Sequence, residues 1–238
     1  MIIRFISDIH LDKSTKREIL LFKEILKEIL LKDADITIFC GDYFVGTTDD
    51  LMNFFDTIKK IAKRQVIFIL GNHDILNKDF NILTKTLEKE FNDKVLFLEN
   101  EIVKIKNCKI YGSIAFLNWT ATKFTNFDYL KKTRREFKRV YDNGKLITPS
   151  WMKNYHEKCI EKIVNEECHV VATHFPLIKE PYLKIIDFNN PQNAFSTSDN
   201  SHILKYSSAR KFINGHIHCS IKYSMNDKIF LSNPFKFS

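Results

Sequence analysis

Apolar and polar positions over the first hundred residues switch between two periods. Residues 2–7 form a short apolar, β-branched run of strand length. Behind it Ile19, Phe22, Leu26, Ile29 and Leu30 recur on one helical face, and Thr15-x-x-Glu18 supplies a capping box to open that helix. Residues 36–40 read as a second strand, 50–63 as a helix and 66–70 as a third strand. A helix over 79–91 and a strand over 95–98 follow. Strand and helix in alternation predict an α/β unit on a largely parallel sheet.

The second half changes rhythm. Residues 101–106 and 109–113 read as two strands of a hairpin separated by Asn107-Cys108. A polar and aromatic stretch, 116–167, is predicted to be mainly helical. Strands return at 169–173, 211–214, 220–225 and 228–231, with Asn226-Asp227 as a tight turn between the last two. Two packed sheets with helices outside them absorb the whole pattern. No repeat, low-complexity tract or Gly/Ser/Pro-rich linker divides the chain, so residues 1–238 are expected to form a single domain.

Composition narrows the class. The 238 residues are 44% hydrophobic and include 21 Phe, enough for a full core and too apolar for a disordered chain. Apolar runs are strand-sized, the N-terminal one is broken by Arg4, and no cleavage site follows it. A soluble, cytoplasmic protein without a membrane span is therefore expected. Five scattered cysteines with no C-x-x-C suggest neither a disulfide framework nor a thiolate zinc site. Lys and Arg number 37 against 29 Asp and Glu, a net charge of +8. That balance suits a nucleic-acid or phosphorylated partner, although an even spread would serve only solubility.

The chemistry lies at the strand ends. Asp8-Ile9-His10 follows the first strand, Gly41-Asp42 the second, and Gly71-Asn72-His73-Asp74 the third. His174 follows the strand at 169–173, and Gly215-His216-Ile217-His218 the one at 211–214. Ligands of open α/β sheets bind beyond the carboxyl ends of the strands. Oxygen and imidazole donors without thiolate suit Mn²⁺, Fe or Zn²⁺ in a hydrolytic centre. Each motif alone has a plain structural reading, as a turn or a satisfied histidine. The ordered set, using five of eight histidines, does not.

The series D-x-H, G-D, G-N-H-D, H, G-H-x-H resembles the calcineurin-like metallophosphoesterase superfamily. The resemblance implies a four-layer αββα sandwich that hydrolyses phosphomono- or phosphodiesters at a two-metal centre. It implies Asp8, His10 and His218 as ligands of one ion, Asn72, His174 and His216 as ligands of the other, and Asp42 as the bridging carboxylate. His73 then faces the substrate as general acid, with Asp74 holding its imidazole. The second motif departs from the family pattern, because Gly41-Asp42-Tyr43-Phe44-Val45 lacks a later carboxylate. Ile75 stands where the protein Ser/Thr phosphatases carry arginine, which weakens that assignment.

Elementary chemistry supports the same reading. Hydrolysis of an anionic ester needs positive charge at phosphorus and a nucleophile near neutral pH. Two divalent ions about 3.5–4 Å apart provide both, through a bridging hydroxide. The run 131–139 carries six basic residues in nine. It reads either as a solvated helix face or as a lid whose Arg134 and Arg135 hold substrate phosphate. Trp119, Phe124, Phe127 and Tyr129 before it suit a small helical subcore or a stacking surface. Two alternatives accompany the phosphoesterase reading: a nucleotide or nucleic-acid phosphodiesterase of the same superfamily, and an inert protein-binding scaffold. The scaffold predicts decayed ligands; here all seven and His73 are present. No obligate protein partner is implied.

Overall fold

In a computed structural model of the chain, residues 1–11, 16–44, 46–91, 94–122 and 127–235 are described. The first half runs β1 (Ile3–Ile6), α1 (Lys16–Leu31), β2 (Ile36–Cys40), α2 (Thr48–Ile61), β3 (Gln65–Ile69), β4 (Lys78–Asp79), α3 (Phe80–Glu90) and β5 (Val95–Phe97). The second runs β6 (Glu101–Ile105), β7 (Cys108–Ser113), α4 (Phe127–Thr133), α5 (Glu136–Arg139), β8 (Val140–Asp142), β9 (Lys145–Leu146) and α6 (Pro149–Asn165). It closes with β10 (Val170–Thr173), α7 (Ile203–Tyr206), β11 (Lys211–Asn214), β12 (Ile221–Met225) and β13 (Lys228–Ser232).

The expected alternation gives a four-stranded parallel sheet, ordered β1-β2-β3-β5. A second, six-stranded sheet is ordered β12-β13-β11-β10-β7-β6, parallel at its centre and antiparallel at both edges. The period-2 rule sorts the side chains into layers. Ile36, Ile38, Ile67 and Ile69 of the first sheet meet Ile110, Val170, Ala172 and Ile213 of the second. Phe39 and Phe68 point the other way, under Phe22 and Leu26 of α1, Phe55 of α2 and Leu83 of α3. Tyr111, Val171 and Phe212 lie under Cys159, Ile160 and Ile163 of α6. The result is the αββα sandwich.

Local signals decide the element ends. Thr47 and Asp50 form a reciprocal capping box that starts α2 two residues before the predicted point. Thr15, the cap expected for α1, lies outside the described residues, as do Val45 and Phe124. Asn226 and Asp227 take φ 50° and 58°, the left-handed pair of a two-residue hairpin. The β6–β7 turn falls on Lys106-Asn107, one residue earlier than expected, because Ile105 pairs with Cys108.

The stretch 116–167 is helical over α4, α5 and α6, with a hairpin between them that the expectation did not include. Only α6 is long; α4 and α5 are short, and β8–β9 is a hairpin that joins β4 in a small third sheet. Asn143-Gly144 causes this, with φ 50° and 76° at its turn. Left-handed Ala115 and Trp119 keep the preceding chain irregular.

Glu99 joins the two sheets. It accepts from Ser113 Oγ, Tyr155 Oη at 2.9 Å and the Ile114 amide at 3.1 Å, entirely within the protein. Beyond β13, Asn233 O accepts from Ser7 N at 3.2 Å and Pro234 bridges Ser7, so this Asn-Pro returns the chain to the first sheet. Among the described residues, no helix is long and apolar enough to cross a membrane.

Candidate metal centre

The carboxyl ends of β1, β2, β3, β10 and β11 meet at one rim. Cross-loop amides set their spacing: Asp8 N donates to Gly41 O, His10 N to Asp42 O and Gly215 N to His174 O, all within 3.0–3.1 Å. Five of the candidate ligands, Asp8, His10, Asp42, His216 and His218, have φ between 50° and 71°. That region costs a non-glycine residue roughly 1–2 kcal/mol, and such strain gathers at functional sites. The glycines serve close approach. A Cβ on Gly71 would lie 2.2 Å from Asp42 Oδ1, and one on Gly215 would lie 2.8 Å from Ser7 Cβ.

Two groups of donors result, each drawing on both sheets. Asp8, His10, Asp42 and His218 each place one ligand atom within 4.8 Å of the others. His10 Nε2 is 3.1 Å from His218 Nε2 and 3.6 Å from Asp42 Oδ2, and His218 Nε2 is 3.5 Å from Asp8 Oδ1. In the second group, Asn72 Oδ1 is 3.0 Å from His174 Nε2 and 3.2 Å from His216 Nδ1. Asp42 Oδ1 lies 3.5 Å from His174 Nε2, so one carboxylate spans both groups.

The outer nitrogens of the second group face backbone carbonyls. His174 Nδ1 is 2.8 Å from Cys40 O, and His216 Nε2 is 2.7 Å from Phe195 O. Carbonyls only accept, so each ring's proton sits on that outer nitrogen. Burial lowers the pKa of both rings, His216 well below the ordinary histidine value, which favours their neutral forms. The Asn72 amide nitrogen turns outward and donates to Glu136 Oε1 at 2.9 Å. In those neutral forms Asn72 Oδ1, His174 Nε2 and His216 Nδ1 meet as three lone pairs. A divalent cation fits such a gap, and neutral imidazoles fixed through their outer N–H are the form that binds one.

His73 lies beside this rim, its ring 4.7 Å from that of His10 and its amide donating to Asp42 Oδ1 at 2.8 Å. The Asp74 expectation needs correction. Its Oδ1 takes the amides of Tyr43 and Phe44, and its Oδ2 those of Asp42 and Gly71, at 2.7–3.3 Å. It is a strut between the β2 and β3 loops, because a fully buried carboxylate is satisfied by those four donors. Burial and then the charge of Asp42 raise its pKa to about 7, against the pull of the Gly71 and Tyr43 amides. The side chain that meets His73 Nε2 is Arg135, at 3.2 Å.

The basic run divides rather than presenting one solvated face. Lys131 and Lys132 are exposed, whereas Arg134 is half-buried with its guanidinium 5.0 Å over the Phe195 ring. A cleft of about 260 Å³ opens between the rim and the α4–α5 turn, lined by His73, Thr133, Arg134, Arg135, Phe195 and Ser196. Trp119 is buried against Phe137 and Phe195, as a subcore aromatic. His156 is buried on Phe116 O and Asn200, and His169 accepts the Lys109 amide; both are structural. Sequence reasoning missed Glu136 and Phe195. The first was signalled only by a lone acid in a basic run, and the second acts through its carbonyl.

The αββα sandwich thus carries two groups of oxygen and imidazole donors at its strand ends. A family model described as calcineurin-like phosphoesterase matches residues 1–220. The chain belongs to the calcineurin-like phosphoesterase family, a family of hydrolases acting on phosphate esters. The phosphopantetheinyl hydrolase of Mycobacterium tuberculosis superposes with TM-score 0.76 at 14% identity, over 99% of this chain and 89% of that one. The protein TT1561 of Thermus thermophilus gives 0.58 at 10% identity, over 98% and 89%. A putative 5′-nucleotidase from Staphylococcus aureus gives 0.53 at 14% identity, with 98% of this chain matching 48% of that one. At these identities the likeness is one of fold. A search of the curated proteins finds no match to the sequence.

Proposed function

We propose that the chain is a dinuclear-metal phosphoesterase, with residues 1–238 acting as one domain and the α4–α5 turn as its lid. The observation that carries this reading is the convergence of Asn72 Oδ1, His174 Nε2 and His216 Nδ1 beside Asp42. Asp8, His10 and His218 would hold one ion, Asn72, His174 and His216 the other, with Asp42 shared. A pair of Mn²⁺ ions, or alternatively Fe or Zn²⁺, would supply positive charge at the phosphoryl oxygens and an acidified water.

The chain's own residues do the rest. His73 supplies a proton to the leaving oxygen, so its Nε2 must become a donor. Arg135 donates to that nitrogen in the free protein. An incoming phosphoryl group offers the guanidinium a better acceptor, since charge-assisted bonds to phosphate are the stronger kind. Binding thus moves Arg135 onto substrate and frees the His73 nitrogen to take up a proton from solvent, which it then passes to the leaving oxygen. Arg134, held over Phe195, adds a second cation to the cleft. The small, polar, cationic cleft favours a compact and strongly anionic ester.

The test combines metal analysis after Mn²⁺ reconstitution with hydrolysis of p-nitrophenyl phosphate and bis-p-nitrophenyl phosphate. Close to two Mn²⁺ per chain with turnover is expected, the monoester reacting faster. A faster diester turns the reading toward the nucleotide or nucleic-acid phosphodiesterase. Neither metal nor turnover overturns it in favour of the scaffold.

A further inference from the structure

Three consecutive lid residues touch the centre in three ways. Arg134 covers Phe195, whose carbonyl fixes the His216 tautomer, and Arg135 meets His73. Glu136 reaches deepest. Its carboxylate is buried, with the residue 4% exposed, and Oε1 accepts from Asn72 Nδ2 at 2.9 Å.

An asparagine amide has two ends of nearly equal shape and opposite chemistry. With the outer ring nitrogens donating to the Cys40 and Phe195 carbonyls, the inner His174 Nε2 and His216 Nδ1 are left as acceptors, so the amide would gain by turning its NH₂ toward them. That turned state would satisfy the pocket with hydrogen bonds and present a donor where an ion needs a lone pair. A carboxylate accepts and does not donate, so Glu136 holds the NH₂ outward and Oδ1 inward. We infer that Glu136 is a positioning residue for the ion at Asn72, and that through it the lid is registered to the metal centre. The inference rests on the dinuclear reading above.

Glu136→Met is near in size and removes the carboxylate acceptor, whereas Glu136→Gln can serve either orientation of the Asn72 amide. Mn²⁺ titration by calorimetry, with electron paramagnetic resonance of the loaded protein, should show wild type taking up two coupled ions. In Glu136→Met the second Mn²⁺ should bind about 10–100-fold more weakly, the range for loss of an outer-shell partner. The first should be unchanged, leaving the spectrum of an isolated Mn²⁺ at substoichiometric loading. Glu136→Gln should fall between, and the metal-free melting temperature of either variant should not track the loss. Wild-type affinity at the second site in Glu136→Met, or equal weakening at both sites, overturns the inference and leaves the dinuclear reading standing. Should Glu136→Met not fold, Glu136→Gln decides, and an unchanged second affinity overturns the inference. Fewer than two Mn²⁺ in wild type overturns the dinuclear reading itself, and the inference with it.

Discussion

Replacing Glu99 by glutamine should remove a pH dependence of stability that this buried carboxyl imposes on the junction between the two sheets. Burial raises its pKa from 4.5 to about 7, against the opposing hydrogen bonds of Ser113, Tyr155 and Ile114. Between those pH values the unfolded chain releases its proton while the folded chain keeps it. The stabilising contribution is therefore complete below pH 4.5 and is lost as pH rises through 7. At about 1.4 kcal/mol per pH unit, the loss amounts to about 3 kcal/mol. Glutamine imitates the protonated acid at every pH. Urea unfolding of both metal-free proteins at pH 4.5 and pH 8 separates this group from all others, because only the difference between the two proteins is read. Glu99→Gln should gain about 3 kcal/mol on wild type between the two conditions. A difference that stays constant to within about 1 kcal/mol, or that changes in favour of wild type, refutes the reasoning.

Two further substitutions probe the centre. His73→Ala should lower turnover of esters with poor leaving groups by about 10²–10⁴ while both Mn²⁺ stay bound, because a general acid matters most where the leaving oxygen is basic; parallel loss of metal contradicts the acid role. Gly71→Ala drives a methyl against Asp42 Oδ1 and its amide nitrogen, 2.2 and 2.3 Å away. An overpacking cost of about 1–3 kcal/mol and at least tenfold weaker metal binding are expected, with stability and metal content unchanged as the contrary result.

The strands were legible where packing leaves one choice. Residues 36–40 and 211–214 match β2 and β11 to the residue, because an apolar centre of strand length bounded by polar turn residues leaves no room for a helix. The candidate ligands were legible for a related reason: Asp, Asn and His just past such runs sit where the main chain must turn, and those residues tolerate φ > 0 better than most. Less was legible where a local signal was outvoted or a backbone atom acts. Asn143-Gly144 specified the β8–β9 hairpin from inside a helix-rich stretch. Phe195 acts through its carbonyl, which no side-chain motif records. Asp74 kept the family's residue type at its position, yet its bonds are to amides of the loops around it. Glu136 stands 64 residues from the amide it fixes, and only folding reveals that pairing.

Each group of donors takes members from both sheets, and this orders the life of the chain. Asp8, His10, Asp42 and Asn72 belong to the first third of the sequence, whereas His174, His216 and His218 come after most of it. Neither donor group is complete until the second sheet has docked on the first, and the Asn233-Pro234 return to Ser7 closes that seam beside Asp8. A half-made or half-folded chain offers only partial chelates of weak affinity. On the proposed dinuclear reading, metal occupancy would be a record of finished assembly, and hydrolytic power would be withheld from every intermediate that precedes it.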